Sequence, residues 1–417
     1  MPSVEGYPAR RAALQMLDFV LRRGRTLEAA AQGERALPPN DHALAIAIAG
    51  EVLRRMPDLD SLINSATRKP LPDDSKARMV LRMALAQKIG LDTPDHAIVA
   101  TALPLVDGGP RRLVHGVLGT LLRNGVAASA APHLPADVEE RWAKAWGDES
   151  VEAARRQIAK RPPLDLSFKT DAAAQAFSAE TGGTSLARCH VRLRDAGAVT
   201  ELPGFGSGGW WVQDLAASLP ARLIPPDAKD ILDLCSAPGG KAMQLAATGN
   251  SVTAVDSSVQ RLGRLSENLE RTGLSADLVA ADVLKWKPGR QYDAILLDAP
   301  CSATGTFRRH PEVLYRARPR IIADSAELQA KLLDRAAEWL SPGGTLVYSV
   351  CSLEMEEGEK IIAGFLSSHS DFRVAPPEPI ADWLQPTDEG FYRILPGLLE
   401  SEGGLDGFFT ARLVRHG

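Results

Sequence analysis

Apolar residues recur every three or four positions between residues 8 and 125, with few β-branched clusters between them. This period is typical of amphipathic helices. It is found in the segments 12–20, 44–53, 80–89, 97–105 and 111–122. The pattern predicts an all-α domain over residues 1–130. The stretch of small residues at 124–135 that comes next is typical of a linker.

The pattern changes between residues 136 and 215. Helical periodicity around residues 142–160 gives way to short mixed segments at 164–169 and 187–193, and then to a glycine-rich turn at 204–209. This order predicts a small α+β subdomain over residues 136–215 that links the helical domain to the C-terminal half of the chain.

From residue 216 onward, short apolar runs rich in β-branched residues alternate with helical segments. The predicted strands are 231–234, 252–256, 276–280, 294–298, 345–350, 372–374 and 408–413. The predicted helices are 241–247, 259–272, 321–340 and 356–367. Such alternation predicts an α/β domain over residues 216–417 that is built on a doubly wound parallel sheet.

Two cysteines follow strands of this sheet and are the strongest sign of chemistry. Cys301 ends the sequence Leu-Leu-Asp-Ala-Pro-Cys, and Cys351 ends Val-Tyr-Ser-Val-Cys. Open α/β sheets bind ligands at the carboxyl ends of their strands. We therefore expect both thiols in one pocket at that edge, where they indicate covalent chemistry on a substrate.

A loop after the first strand of this sheet predicts a cofactor site at the same edge. It consists of Cys235, Ser236, Ala237, Pro238, Gly239, Gly240 and Lys241, and a helix follows it. Backbone N–H groups at such a turn can contact a nucleotide-like ligand. A Walker A loop is disfavoured because Cys235 and Ala242 stand where glycine and Ser or Thr are needed, and the G-x-G-x-x-G pattern is absent.

Acidic residues after the next two strands extend this predicted site. Asp256 ends the second strand, where a carboxylate can accept hydrogen bonds from ribose hydroxyls, and Arg261 lies on the following helix. Asp282 follows the third strand, within reach of an adenine edge. The structural alternative for either aspartate is a helix N-cap.

Composition excludes several other classes of protein. No apolar run approaches the roughly 20 residues of a membrane span, and no basic-then-apolar leader is visible at the N-terminus, so we expect a cytoplasmic protein. Four dispersed cysteines without a C-x-x-C pair argue against a bound metal and a disulfide framework. The net charge of −4 does not by itself suggest a nucleic-acid binder, although residues 1–135 are net positive.

The motifs carry a resemblance to a known family. Asp-Leu-Cys-Ser-Ala-Pro-Gly-Gly-Lys (233–241), Asp-Ala-Pro-Cys-Ser-Ala-Thr-Gly (298–305) and Tyr-Ser-Val-Cys-Ser (348–352) are similar to the cofactor loop and two cysteine motifs of the RsmB/Sun family of ribosomal-RNA cytosine-5 methyltransferases. Residues 212–214 and 404–409 resemble its flanking motifs, and residues 8–125 resemble its NusB-like RNA-binding domain. One departure is Ser349-Val350-Cys351, where the family usually has Ala-Thr-Cys.

The resemblance implies a Rossmann-like catalytic domain that uses S-adenosyl-L-methionine (SAM). It assigns Cys351 as the nucleophile at C6 of cytosine, Cys301 to product release, and Asp298 to contact with the base and the cofactor site. Covalent addition is chemically needed because C5 of cytosine is not nucleophilic enough to attack a methyl sulfonium without it.

The expected substrate is RNA, with small-subunit rRNA implied by the resemblance, and the expected enzyme is a monomer without a metal. Arg308, Arg309 and His310, which follow the first cysteine motif, are predicted to hold the RNA backbone, with a solvated loop as the alternative. Two other functions stay open at this point: methylation of tRNA, and a non-catalytic RNA-binding role in ribosome assembly.

Overall fold

The computed structural model describes residues 5–376 and 379–416. Its helices are α1 (Tyr7–Arg23), α2 (Leu27–Gln32), α3 (Pro39–Ser65), α4 (Lys76–Gly90), α5 (Asp95–Ala102), α6 (Gly108–Asn124), α7 (Ala136–Trp146), α8 (Asp148–Ile158), α9 (Asp171–Thr181), α10 (Leu215–Ser218), α11 (Gly240–Ala247), α12 (Val259–Thr272), α13 (Val313–Arg316), α14 (Pro319–Glu338) and α15 (Glu359–Ser368). Its strands are β1 (Leu164–Phe168), β2 (His190–Leu193), β3 (Trp210–Val212), β4 (Asp230–Leu234), β5 (Ser251–Asp256), β6 (Asp277–Ala280), β7 (Tyr292–Asp298), β8 (Leu340–Val350), β9 (Phe372–Val374), β10 (Tyr392–Ile394) and β11 (Phe408–Arg415).

The chain forms two compact units. The first combines Met1–Arg161 with Phe307–Arg316, and the second combines Pro162–Thr306 with Ala317–Gly417. This division differs from the predicted boundaries at 130–136 and 215–216. Helices α7 and α8 pack with the first unit and the small sheet β1–β3 with the second, so the residues predicted to form a middle subdomain are shared between the two units.

The first unit is helical, as its apolar period predicts. Fully buried residues from α3, α4 and α6, among them Ile48, Val52, Leu81 and Leu118, form its core. Apolar stripes on neighbouring helices bury one another in this way and provide most of the stability of such a bundle.

The segment Phe307–Arg316 is a distant part of the chain that belongs to this helical unit. The Phe307 ring packs against Trp142, with 5.5 Å between ring centroids. The hydroxyl of Tyr315 donates to the carbonyl of Leu53 at 2.8 Å. Pro57, four residues later in α3, has no N–H to offer that carbonyl, so the tyrosine supplies the missing donor.

The second unit is built on a sheet with the strand order β10-β11-β8-β7-β4-β5-β6, and β9 pairs with β11. Strands β4 to β8 are parallel, as predicted, whereas β9, β10 and β11 are antiparallel. The prediction of a wholly parallel sheet is therefore wrong at this end. No α-helix of the described chain intervenes between β9 and β11, and a parallel return would need such a crossover.

The order of the parallel strands creates a crevice between β4 and β7, since the chain winds away from this point in both directions. Ligands bind outside the carboxyl ends of strands at such a switch point. The loops after β4 and β7 are those that carry the predicted cofactor loop and the first cysteine motif.

A smaller antiparallel sheet, ordered β2-β1-β3, lies in the same unit. The Asp165 carboxylate on β1 accepts two hydrogen bonds from Arg192 on β2, both at 2.7 Å, and one from the Leu215 amide at 3.0 Å. Burial opposes ionisation here, but the hydrogen bonds from Arg192 and His190 hold the pKa of Asp165 well below its usual range.

Within the described residues, no helix has the length and apolar character needed to cross a membrane.

Candidate active site

The ends of two parallel strands bring the two predicted cysteines together. Asp298 at the end of β7 lies opposite Ser349 near the end of β8, and the Ala299 amide donates to the Ser349 carbonyl at 2.9 Å. Cys301 and Cys351 follow within three residues of this pair. Their Sγ atoms are 3.5 Å apart, close enough for either thiol to donate to the other.

Asp298 is held from two sides. Lys241 Nζ donates to Oδ2 at 2.8 Å, and the hydroxyl of Ser349 donates to Oδ1 at 2.9 Å. The lysine, only 9% exposed, also lies 5.2 Å from the centroid of the Phe408 ring. The carboxylate is therefore fixed in direction, while about a third of its surface stays exposed. Ser349, where the chain departs from the usual family sequence, supplies one of the two fixing bonds.

The environments of the thiols differ. The hydrogen bond with Cys351, together with burial, raises the pKa of Cys301 well above its usual range, so this thiol stays protonated at neutral pH. Burial likewise raises the pKa of Cys235 to about 12, which fits a structural role for that side chain.

The predicted cofactor loop is tied to the end of β5. Asp256 Oδ2 accepts from the Ala237 amide at 3.2 Å and lies 3.3 Å from an Arg261 guanidinium nitrogen. Arg261 also donates to the Ala237 carbonyl. Asp256 Oδ1 accepts from the Ser258 amide at 2.8 Å, while the Ser258 side chain caps α12. Asp256 thus orders the loop and is not itself the helix cap.

The same loop and the end of β4 before it have buried polar atoms suited to a cofactor. Among the described residues, neither carboxyl oxygen of Asp233 nor the Ser236 hydroxyl has a hydrogen-bond partner. Burial, reinforced by the charge of Asp298, raises the pKa of Asp233 well above its usual range. Gly239 adopts φ 107°, and a Cβ there would lie 2.1 Å from Leu265 Cδ1, so only glycine fits. Buried acceptors beside several carboxylates suit a cationic cofactor such as SAM, which brings an electrophilic methyl group.

The third predicted cofactor aspartate is different. Asp282 is exposed, and its Oδ1 accepts from the Leu284 amide at 3.0 Å in the turn after β6. The Ala281 amide donates to the Asp256 carbonyl at 3.1 Å, which keeps this turn at the same edge of the sheet.

The predicted RNA-contacting residues lie in the helical unit. Arg308 is 1% exposed, and its carbonyl accepts from Arg54 at 2.6 Å. Its burial does not fit the predicted phosphate contact, because a guanidinium inside the bundle does not reach an RNA backbone. Arg309 is half-buried and His310 is exposed.

Sequence reasoning missed the buried residue Glu357, which accepts hydrogen bonds from Ser302 and Ser352 beside the two cysteines. It also missed Gln213, which packs against Gly240 of the cofactor loop and donates to Gln244 at 2.7 Å. Gln213 stands in the flanking motif 212–214, so a signal existed there. No group of three or more potential metal ligands was found in the parts of the chain that the structure describes.

Five parallel strands, a glycine loop after the first of them and an acidic residue at the end of the second define a Rossmann-like methyltransferase domain. The family model described as 16S rRNA methyltransferase RsmB/F matches residues 220–414, and the NusB family model matches residues 7–123.

Known proteins resemble the chain over most of its length, and two of them over nearly all of it. It is 33% identical to the ribosomal RNA small subunit methyltransferase B of Vibrio cholerae, covering 97% of each sequence. The crystal structure of PH0851 has a TM-score of 0.74 at 22% identity and covers 99% of both chains. A methyltransferase homolog from Pyrococcus horikoshii has a TM-score of 0.57 at 25% identity, covering 71% of this chain and 98% of its own.

The chain belongs to the RsmB/F family of methyltransferases. The predicted family, the helical NusB-like region and the Rossmann-like fold are therefore confirmed. As in the rest of this family, SAM is the methyl donor.

Proposed function

We propose that this protein methylates C5 of a cytosine in small-subunit rRNA. The Cys351 thiolate forms a bond to C6 of the base, and the electrons displaced from the C5–C6 double bond make C5 nucleophilic. C5 would then take the methyl group from SAM, and the electron pair of the broken S–CH3 bond would stay on the sulfur of SAM. Loss of the C5 proton and cleavage of the S–C6 bond restore the double bond and return the thiolate.

The observation that carries the proposal is the 3.5 Å contact between Cys301 Sγ and Cys351 Sγ next to the fixed carboxylate of Asp298. One thiol can attack the base while the other assists release of the product. Asp298 accepts from the cytosine amino group and so holds the base in position for attack at C6. Cys301, kept protonated, is poorly suited to be the attacking thiolate.

The substrate assignment rests on the relatives named for small-subunit rRNA and on the NusB-like region. Within the proposal, residues 1–130 form an RNA-binding module, 136–215 a linking module and 216–417 the catalytic module. Arg309 and His310 contact the RNA backbone. Flipping of the target base into the pocket requires RNA that is not yet fully assembled. The enzyme acts as a monomer in the cytoplasm, where its four free cysteines stay reduced.

The test is transfer of tritium from labelled SAM to total RNA lacking the modification, with wild type, Cys351→Ala and Cys301→Ala compared. We expect label in small-subunit rRNA with wild type and none with Cys351→Ala. We expect Cys301→Ala to accumulate a covalent RNA adduct, because the adduct forms but is released slowly. Cys189→Ala is the matched control and should behave as wild type, since this cysteine lies outside the site.

Other outcomes would redirect the proposal. Label in tRNA alone would assign the enzyme to tRNA. Measurable SAM binding with no label in any RNA, and no covalent trapping on RNA containing 5-fluorocytosine, would favour a non-catalytic role in ribosome assembly.

A further inference from the structure

The loops that carry the two cysteines meet on one buried carboxylate. Glu357 is fully buried and accepts from the Ser302 amide at 2.8 Å and from the Ser302 hydroxyl. It also accepts from the hydroxyl of Ser352. Ser302 directly follows Cys301, and Ser352 directly follows Cys351, so one side chain binds the neighbour of each thiol.

Further contacts make this junction compact. The Ser352 hydroxyl lies 3.3 Å from the Ser302 and Thr304 hydroxyls, and the Leu353 amide donates to Thr304 Oγ1 at 3.0 Å. The 3.5 Å contact between Cys301 Sγ and Cys351 Sγ belongs to the same set of contacts. In the described structure, Glu357 is the one acidic side chain that receives hydrogen bonds from both serines.

Glu357 is itself held in place by residues of β8 and α14. The hydroxyl of Tyr348, which is buried in β8, donates to the Glu357 carbonyl at 2.6 Å. Gln329 on α14 donates to Oε1 at 3.4 Å. The backbone of Glu357 is therefore held by β8 and its carboxylate by α14.

We propose that Glu357 is a positioning residue that sets the separation of Cys301 and Cys351 by binding both of their loops. The inference rests on the proposed function for its catalytic meaning, but the separation itself can be measured without any RNA.

The chemistry of the contacts requires a carboxylate. The two serine hydroxyls and the Ser302 amide all donate, and a carboxylate accepts on both oxygens, whereas an amide accepts on one. Burial raises the pKa of Glu357 above its usual range, and the bonds from Ser302 and Ser352 oppose that rise. The negative charge adds to the effects that keep Cys301 protonated.

The test compares Glu357→Gln and Ser352→Ala with the control Glu356→Gln. Glu356 is the adjacent residue, it is half-exposed, and its carboxylate pairs with Lys360 at 2.6 Å on α15. The first readout is capture of the full-length protein by phenylarsine oxide, which loses water when it bonds two neighbouring thiols. Mass spectrometry gives the rate, and Cys301→Ala provides the background from other cysteines. The second readout is the single-turnover rate of adduct formation on 5-fluorocytosine RNA.

We expect Glu357→Gln to slow both arsenical capture and adduct formation by about 10- to 100-fold, since misplacing reacting groups by about 1 Å has effects of that size. SAM affinity should stay within about twofold, because a positioning role acts on the chemical step and not on ground-state binding. Ser352→Ala should act in the same direction with a smaller effect, and Glu356→Gln should match wild type.

Unchanged arsenical capture in Glu357→Gln would overturn the proposal, whatever the activity. If that variant does not fold, Ser352→Ala carries the same test, because it nearly keeps the side-chain volume and removes the hydroxyl that binds Glu357. Slowed capture in Glu357→Gln, combined with a wild-type protein that labels no RNA, would support the positioning role and reject the proposed function.

Discussion

The close approach of the Gly305 and Gly407 backbones beside the cysteine loops gives the sharpest test of the structure. Gly305 donates its amide to the Cys351 carbonyl at 3.0 Å and accepts from the Gly407 amide at 2.8 Å. A Cβ on Gly305 would lie 2.0 Å from the Gly407 oxygen and 2.6 Å from its carbonyl carbon. Gly305→Ala must therefore push two backbones apart by more than about 1 Å, since atoms in contact normally stay at least about 3.5 Å apart.

The magnitude follows from the two contacts that this movement disturbs. Overpacking of a tight interior costs about 1–3 kcal/mol. Weakening of a buried backbone hydrogen bond adds about 1 kcal/mol. We expect Gly305→Ala to lower the free energy of unfolding of the second unit by about 2–4 kcal/mol, which leaves it folded if its stability is typical of a domain. We also expect loss of most methyl transfer, because the same bonds fix the Cys351 backbone.

The assay is urea unfolding followed by tryptophan fluorescence, together with methyl transfer at low urea. Gly364→Ala is the matched control: this glycine is exposed in the middle of α15, and its added Cβ would meet nothing within 4 Å. Alanine should raise the free energy of unfolding there by about 0.5–1 kcal/mol, because glycine is the poorer helix former. The same substitution thus has opposite signs at the two sites. An unfolding midpoint of Gly305→Ala equal to that of wild type would refute the reasoning.

Three further changes test other parts of the structure. Tyr315→Phe leaves the Leu53 carbonyl without a partner and should lower the stability of the helical unit by about 1–3 kcal/mol in urea; a neutral result would mean that water replaces the hydroxyl. Lys241→Met removes the cation paired with Asp298 and should lower the methyl-transfer rate at least about tenfold, with circular dichroism as the check on folding. Asp165→Asn should lower the free energy of unfolding by about 3 kcal/mol at pH 7. Because the folded-state pKa of Asp165 is depressed, the stability that its carboxylate contributes is lost on acidification. The difference between the variant and wild type should therefore shrink below about pH 4. A pH-independent difference would contradict the depressed pKa.

The fold was largely predictable because its elements have strong local signals. Each parallel strand is a short apolar run flanked by turn residues, and strands β4, β5 and β7 lie close to their predicted positions, with the same last residue in each. The antiparallel strand β10 was missed because it is only three residues long and its place in the sheet depends on pairing with β11. The transfer of Phe307–Arg316 to the helical unit was also not predictable, since the partners of Phe307 and Glu312 lie 165 and 285 residues away in the chain.

In the candidate site, too, local sequence predicts some residues, while others depend on contacts that only the folded chain makes. Cys301, Cys351 and Asp298 were identified because they occupy strand ends, and strand position is a local property. Glu357 was not, because its role depends on contacts between two loops that are separated by 50 residues. Arg308 shows the converse: a basic residue next to a catalytic motif suggests RNA contact, but burial is decided by packing that local sequence does not specify.

Each of the two thiols follows the end of a parallel strand. Their different proposed roles therefore depend on their surroundings. The Cys351 sulfur, burial and the Glu357 charge all favour the protonated form of Cys301. These effects make Cys301 the poorer candidate for the attacking thiolate. The proposed assignment of Cys351 as the nucleophile agrees with this difference and with what its motif alone implies. We therefore expect that exchanging the two roles requires more than exchanging the two cysteine motifs, because the Glu357 carboxylate that helps to distinguish the thiols lies outside both of them.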